Sequence, residues 1–384
     1  MPPSLTILLA SVLKPLDDTR MLGKFGRTLA SRSGTDVHVA GRAAPTPYGL
    51  PNNLHTHFLL QGSRLSWGRV AAQWRYWQLL RKLQPQVVFV HAPELLPLTV
   101  LWHSLGTGRR YIYDVRENYA LNIQTQQVYP AWARSLLAGL VRGLEALAAK
   151  RATAVLLAER SYSDELPFAT PAKTLIIENK YQPYSTEVVA PAFPRRLPTP
   201  AEPLNLLYSG TISELNGVWE AIRFTHHLRT TWPLAHLTII GACQQPGLLP
   251  RLQAAVAEAA GAVTLRGGAE LVPHAEVVAQ MQRSHLGLLP YRPHPSTARC
   301  VPTKLFEYLA HGLPLLLPPN PLWQQLVQPH QAGLVFDFQQ ADYPAAATLA
   351  AELSRHVYYP NGAPHEAFWA SEAEKLLRLM DSIR

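Results

Sequence analysis

Lys304 and Glu307 stand three positions apart in "CVPTKLFEYLAHGLPLLLPP", residues 300–319. Pro302 suits the first turn of a helix and Gly312 its end. On that helix Phe306, Leu309 and Ala310 form an inward stripe, and Lys304 and Glu307 lie one turn apart on another side. A lysine beside the unpaired amides of a helix start attracts phosphate oxygen. A carboxylate one turn deeper can accept two hydrogen bonds from a vicinal diol, as on a ribose. The same spacing also reads as a solvated surface pair, contributing about 0.2–0.5 kcal/mol.

A second candidate is "LNLLYSGTISELNGVWEAI", residues 204–222. A buried strand ends at Tyr208–Ser209, Gly210 turns the chain, and a helix starts near Gly217. Glycine there lets the backbone approach a ligand, and the amides ahead suit a phosphate. A plain strand–turn–helix with a steric glycine is the other reading. His91 follows the run Val87–Val90 in "VHAPELLP", and taken alone it is a hydrogen-bonded histidine at a strand end. In "WARSLLAGLVRGLEALAAKRA", residues 132–152, Leu137, Leu140, Val141, Leu144 and Ala148 recur at helical spacing among Arg134, Arg142, Lys150 and Arg151. Such a helix either packs its stripe on a sheet or lies on an anionic membrane. The pairs His55/His57 and His226/His227 lack Cys or Glu partners at zinc spacing, so no metal site is expected. No Walker loop or Gly-x-Ser-x-Gly elbow occurs. "AGAVTLRGG", residues 260–268, lacks the full glycine spacing of a dinucleotide turn.

The elements that must position these residues alternate between short apolar runs and longer amphipathic ones. Strands are expected at Leu5–Ala10, Val37–Ala40, His55–Leu60, Val87–His91, Tyr111–Val115, Ala154–Ala158 and Thr174–Glu178, with helices near 19–32, 67–83, 94–104, 131–151 and 160–167. Residues 180–203 carry six prolines and no clear period, which marks a linker. The rhythm then resumes with strands at Leu204–Ser209, His236–Gly241, Val263–Arg266, Leu286–Leu289, Leu313–Leu317 and Leu334–Phe338. Helices are expected at about 217–229, 248–259, 273–283, 303–311, 322–328 and 343–355. This βαβα order predicts two doubly wound α/β domains in tandem, with ligands held at the carboxyl ends of strands. Acceptor-side candidates by position near strand ends are Asp17, Arg20, Arg116 and Glu117.

Composition fits that plan. The chain has 384 residues, 47% hydrophobic and only 16% charged, enough to bury large cores. Two cysteines, Cys243 and Cys300, make no disulfide framework and indicate a reducing compartment. The apolar N-terminal run lacks a basic start and a cleavage site, so it reads as a first strand, and no run is long enough to span a membrane. Net charge is +9, which favours anionic ligands. The basic residues, among them Arg64, Arg69, Arg75, Arg81, Arg109 and Arg110, are scattered and accompany no nucleic-acid motif, so nucleic acid is not an expected partner.

"YSGTISELNGVWEAI", followed about eighty residues later by "LGLLPYRP…VPTKLFEYLAHGLPLLL", resembles the C-terminal half of GT-B glycosyltransferases of the large retaining family four. "SVLKPLDDTRMLGKFGRTLASRSGTDVHVAG", "VVFVHAPELLPL" and "YIYDVRENY" are similar to segments of that family's bacterial members. The terminal "FWASEAEKLLRLMDSI" resembles the helix that crosses back onto the first domain. The resemblance runs through nearly the whole chain in order. It implies two Rossmann-like domains facing across a cleft: an acceptor-side domain over 1–180, a linker over 181–203, a donor domain over 204–362 and a returning helix over 363–384.

It also implies transfer of a sugar from a UDP- or GDP-linked donor to a hydroxyl of a glycan or lipid-linked acceptor, with retention and no cofactor or metal. The setting would be cell-surface polysaccharide or glycolipid synthesis, in the cytoplasm or peripherally on the inner face of the membrane. Residue by residue, Glu307 matches the glutamate that holds the ribose, and Lys304 lies beside it on the diphosphate side. Gly210 matches the glycine under the phosphates, and His91 a histidine facing the transferred sugar. Four positions depart from the family's pattern. Arg299 stands where many members have a first glutamate, Thr211 and Asn216 replace an arginine and a lysine, and Ala92 replaces an aspartate. Diphosphate charge would then be met by Lys304, backbone amides, Arg299 or Arg266. Other readings of the same residues are a sugar-nucleotide epimerase of this fold and a non-catalytic nucleotide-sugar-binding protein.

Overall fold

In the computed structural model, residues 5–61, 68–125, 130–183, 193–245 and 247–383 are described. Arg64 and the middle of the expected linker lie outside them. The first sheet contains β1 (Leu5–Pro15), β2 (Thr35–Arg42), β3 (Leu54–Leu60), β4 (Val87–Val90), β5 (Arg110–Val115), β6 (Ala154–Leu157) and β7 (Thr174–Ile176). All are parallel, in the order β3-β2-β1-β4-β5-β6-β7. Parallel neighbours need crossovers. Except between β2 and β3, where residues 43–53 form a loop, these contain helices: α1 (Arg27–Ala30), α2 (Gly68–Leu83), α3 (Leu96–Ser104), α4 (Tyr119–Thr125), α5 (Ala131–Arg151) and α6 (Tyr162–Glu165).

Two local departures from the expected elements have physical causes. The helix expected over 19–32 opens as π-helix, Thr19–Gly26, before α1. The Asp18 carboxylate caps it by accepting from the amides of Arg20 and Met21. The short α4 buries only Ala120, too little apolar pattern to be seen in sequence.

One face of this sheet packs Ile7, Leu9, Val37, Val39, Phe89, Ile112 and Leu156 against Met21, Phe25 and Leu29, and against Trp369, Leu376 and Met380 of the terminal helix, Trp369–Ser382. Alternate strand residues point the other way. There the Tyr111 hydroxyl donates to the Ala148 carbonyl and the Tyr113 hydroxyl to Glu145, both on α5.

The second sheet contains β8 (Leu204–Ser209), β9 (Ala235–Ala242), β10 (Val263–Gly268), β11 (Leu286–Leu288), β12 (Leu315–Leu317) and β13 (Gly333–Val335), in the order β10-β9-β8-β11-β12-β13. Its helices are α7 (Val218–Arg229), α8 (Leu248–Glu258), α9 (His274–Arg283), α10 (Pro295–Ala298), α11 (Thr303–Ala310), α12 (Pro321–Val327) and α13 (Ala346–Arg355). In each sheet the order reverses once, between β1 and β4 and between β8 and β11. Ligand sites in open α/β sheets form at such points.

The chain divides into two units, Met1–Gln182 with Trp369–Arg384, and Pro183–Phe368. Residues 193–203 go with the second unit rather than standing free. Arg195 exchanges backbone hydrogen bonds of 2.8 and 2.9 Å with Tyr358, and its guanidinium donates to the Gly312 carbonyl at 2.9 Å. The return to the first unit begins at Trp369 rather than at 363, and before it His330 and Glu366 pair at 2.7 Å within the second. Trp369 then anchors the terminal helix, donating from its amide to the Tyr181 carbonyl and from its indole to Thr28. The buried Glu372 accepts from Lys180 at 2.6 Å and Lys375 at 2.8 Å.

Candidate functional site

At the reversal point of the second sheet a cavity of about 420 Å³ is lined by Gly210, Thr211, Asn216, Tyr291, Lys304 and Glu307, with Gly241, His274 and the Leu271–Val272 loop among the rest of its wall. The turn after β8 supplies Gly210, Thr211 and Asn216, and α11 supplies Lys304 and Glu307. Gly210 follows β8 with φ +89°, a left-handed conformation that glycine adopts without strain. Gly241, at the end of β9, is also required: a Cβ there would lie 1.8 Å from the Gly210 carbonyl oxygen. Asn216 braces the turn after Gly210 by donating to the Thr211 carbonyl at 2.9 Å.

The start of α11 has no side-chain cap, so its amide-rich end opens on the cavity. Lys304, in its first turn, is buried with its ammonium 4.8 Å from the centre of the Tyr208 ring and 5.2 Å from that of Tyr291. Cation–π contact partly replaces its lost water. No carboxylate forms an ion pair with it among the described residues. Burial pulls its pKa from the usual 10.5 down to about 8, against the opposing pull of nearby Glu307.

The surface-pair reading of Lys304 and Glu307 is thereby set aside. The partner of Glu307 is His274, at the start of α9, whose Nε2 donates to its Oε1 at 2.9 Å. Sequence reasoning missed this residue. The two are 33 positions apart on separate helices, and no local period connects them. Arg266 and Arg299 are exposed and lie outside the cavity wall.

A second cluster forms at the reversal point of the first sheet, where the loops after β1, β4 and β5 meet. His91 follows β4 and is fully buried. Its Nδ1–H donates to Asp114 at 2.7 Å, and the Arg20 guanidinium grips the same carboxylate with bonds of 3.0 and 2.6 Å. Burial alone would raise the Asp114 carboxyl, yet Arg20 and His91 hold it well below the usual carboxylate range. Burial, helped by the Arg116 and Arg20 charges, lowers the pKa of His91 against the opposing pull of Asp114, so the ring favours its neutral form. With Nδ1 carrying the proton, Nε2 is a lone-pair acceptor and has no hydrogen-bond partner among the described residues.

Of the acceptor-side candidates, Arg20 is buried and committed to Asp114, so it is not a free surface contact. Arg116 is engaged with Asp18 through bonds of 2.9 and 3.0 Å. Glu117 pairs with Lys14 at 3.0 Å, and Asp17 is exposed. Asp114 and Asp18 were not singled out from the sequence, although the acid-rich "YDVRE" segment at the end of a strand run contains one of them. Among the described residues no group of three or more His, Cys, Asp and Glu is placed to hold a metal ion. None of their helices is long and apolar enough to cross a membrane.

No protein-family model and no curated protein matches the chain. Solved structures do. A sucrose-phosphate synthase from Thermosynechococcus elongatus is similar with a TM-score of 0.67 and 14% identity, over 98% of each chain. The Anabaena protein HepE, solved in complex with UDP and glucose, is similar with a TM-score of 0.61 and 12% identity, covering 99% of this chain and 100% of that one. WaaG, a glycosyltransferase involved in lipopolysaccharide biosynthesis, gives 0.56 and 15% over 97% and 95%. Likeness along the full length of both chains, added to the two parallel sheets, shows that this protein has the GT-B fold.

Proposed function

We infer that the protein is a glycosyltransferase that moves a sugar from a nucleoside-diphosphate sugar to an acceptor hydroxyl, with retention at the anomeric carbon. What carries the reading is the convergence of Gly210, Lys304 and Glu307 on one cavity at a sheet's reversal point. Glu307, steadied by His274, would accept hydrogen bonds from the ribose diol. Lys304 and the start of α11 would face the diphosphate, and the Gly210 turn would let it approach the backbone.

Breaking the anomeric bond builds negative charge on the leaving diphosphate and positive charge on the sugar. Donors fixed in advance around the phosphate stabilise that transition state. In this reading the charge comes from Lys304 and amide dipoles, with no step assigned to a metal ion. His91, held in one tautomer by Asp114, would present Nε2 as an acceptor toward the transferred sugar. The HepE complex with UDP favours a UDP-linked donor, and the likeness to WaaG, involved in lipopolysaccharide biosynthesis, favours a glycan or lipid-linked acceptor in cell-surface synthesis.

A panel of UDP- and GDP-sugars in thermal shift, followed by product analysis, tests this. Glu307→Gln is expected to weaken nucleotide binding about tenfold or more, as loss of a charged hydrogen-bond acceptor does. His91→Ala is expected to spare binding and lower turnover. Unchanged nucleotide affinity in Glu307→Gln would remove the assigned role. Binding without transfer would mark a non-catalytic nucleotide-sugar-binding protein, and an epimeric product an epimerase.

A further inference from the structure

Most of the large apolar side chains exposed by the described residues lie on α2, α3 and α5, three neighbouring helices that cover one face of the first sheet. Trp132 is 81% exposed and Leu136 and Leu140 are each 62% exposed, with Leu147 following further along α5. Their spacing of four, four and seven residues keeps them on one side of the helix. Gly139 and Gly143 share that side, since a Cβ at either would meet no atom within 4 Å. The stripe spans about 22 Å at 1.5 Å per residue. The inward side of α5 is instead made by Ala133, Ala138, Glu145, Ala148 and Ala149. Leu140, expected from its spacing to share a stripe with Ala148, therefore points outward. Trp74 on α2 and Leu105 at the end of α3 extend the apolar area.

The charges on these helices are of one sign at the surface. Lys150 and Arg151 are exposed in the last turn of α5, as are Arg81 and Lys82 in the last turn of α2. Neither α2 nor α3 contains a carboxylate, and the single one on α5, Glu145, is fully buried. Glu94, in the turn before α3, lies 3.9 Å from Arg69. Crossovers in a parallel sheet all run the same way, so the last turns of α2 and α5 lie at the same end of this face.

We propose that this face docks the protein on an anionic lipid bilayer, with the Trp132–Leu147 side of α5 lying among the acyl chains and the lysine–arginine rim on the headgroups. A helix lying in the interface needs an apolar side a few ångströms deep and cations beside it, and tryptophan favours that depth. A second copy of this chain fits less well, because its matching face holds no exposed carboxylate for the four cations. Nucleic acid would satisfy the cations and leave the apolar stripe in water.

The test is flotation of the full chain with phosphatidylcholine vesicles, with and without phosphatidylglycerol, at low and high salt. Binding should require phosphatidylglycerol, fall with salt, and drop at least tenfold in Leu140→Glu and in Trp132→Glu. Lys150→Glu with Arg151→Glu should weaken binding and flatten the salt dependence. These side chains are exposed, so melting temperatures and near-ultraviolet circular dichroism should stay unchanged. In the wild type, bromine-labelled acyl chains should quench fluorescence that Trp132→Phe removes. Absence of quenching, equal binding to both vesicle types, or a dimer in sedimentation velocity that Leu140→Glu dissociates would each overturn the proposal. Loss of vesicle binding with nucleotide binding intact would leave the donor-site reading untouched.

Discussion

An ammonium group enclosed by two tyrosine rings is held against its own hydration. The free amine of Lys304 is favoured from about pH 8, whereas an unfolded lysine keeps its proton to about 10.4. Below pH 8 both states are charged, and the fold bears a burial cost of about 3 kcal/mol. Between those two values the unfolded state binds the extra proton, so stability should rise with pH across that window. Lys304→Met should therefore be more stable than wild type at pH 7 by about 2–3 kcal/mol, with a flat profile through the window. The same variant should lose nucleoside-diphosphate affinity at least tenfold, and wild-type affinity should weaken as pH climbs past 8. Urea melts at pH 7 and 9.5 with parallel titration calorimetry check both halves. His274→Ala frees the Glu307 carboxylate without removing it, so nucleotide affinity should fall less, about three- to tenfold. Added to Glu307→Gln it should cause almost no further loss, a coupling that a double-mutant cycle reads directly.

Glycine placement at strand ends decides whether the second sheet can bring its loops together. Gly241 lies at φ +150° with its α-carbon turned toward the Gly210 carbonyl. Gly241→Ala must push β8 and β9 apart at the cavity, and a loss of roughly 3 kcal/mol or more is expected from the backbone clash. Chemical denaturation followed by a probe in the second unit measures it. The strands were legible because a buried parallel sheet writes near-continuous runs such as Val87–Val90 and Leu204–Ser209. The turn at the end of β8, which lines the cavity, was legible for the same reason, since Gly210 interrupts such a run. Less was visible where apolar residues surround a helix. On α5 leucines occur on several sides, and the sequence does not say that alanines face inward and Leu136 and Leu140 outward. Pairing across elements was invisible as well: Glu307 with His274, and His91 with Asp114, depend on which loops the sheet order makes neighbours.

The unit that starts the chain is completed by its end. Trp369, Leu376 and Met380 belong to the same apolar cluster as Ile7, Val39 and Phe89, and Glu372 closes the ionic group around Lys180. Truncation after Phe368 should lower the melting temperature of the first unit by 10 °C or more while leaving the second nearly unchanged. The estimate follows from losing several large buried side chains. Hydrogen exchange resolved by peptide distinguishes the two units. This architecture also sets a schedule at the ribosome. Everything from Pro183 to Phe368 must be translated before the closing helix emerges, a wait of roughly ten to forty seconds at ordinary elongation rates. Through that interval the second unit can mature while the first keeps an apolar flank bare, so newborn chains should be clients of chaperones that shield such flanks until synthesis ends.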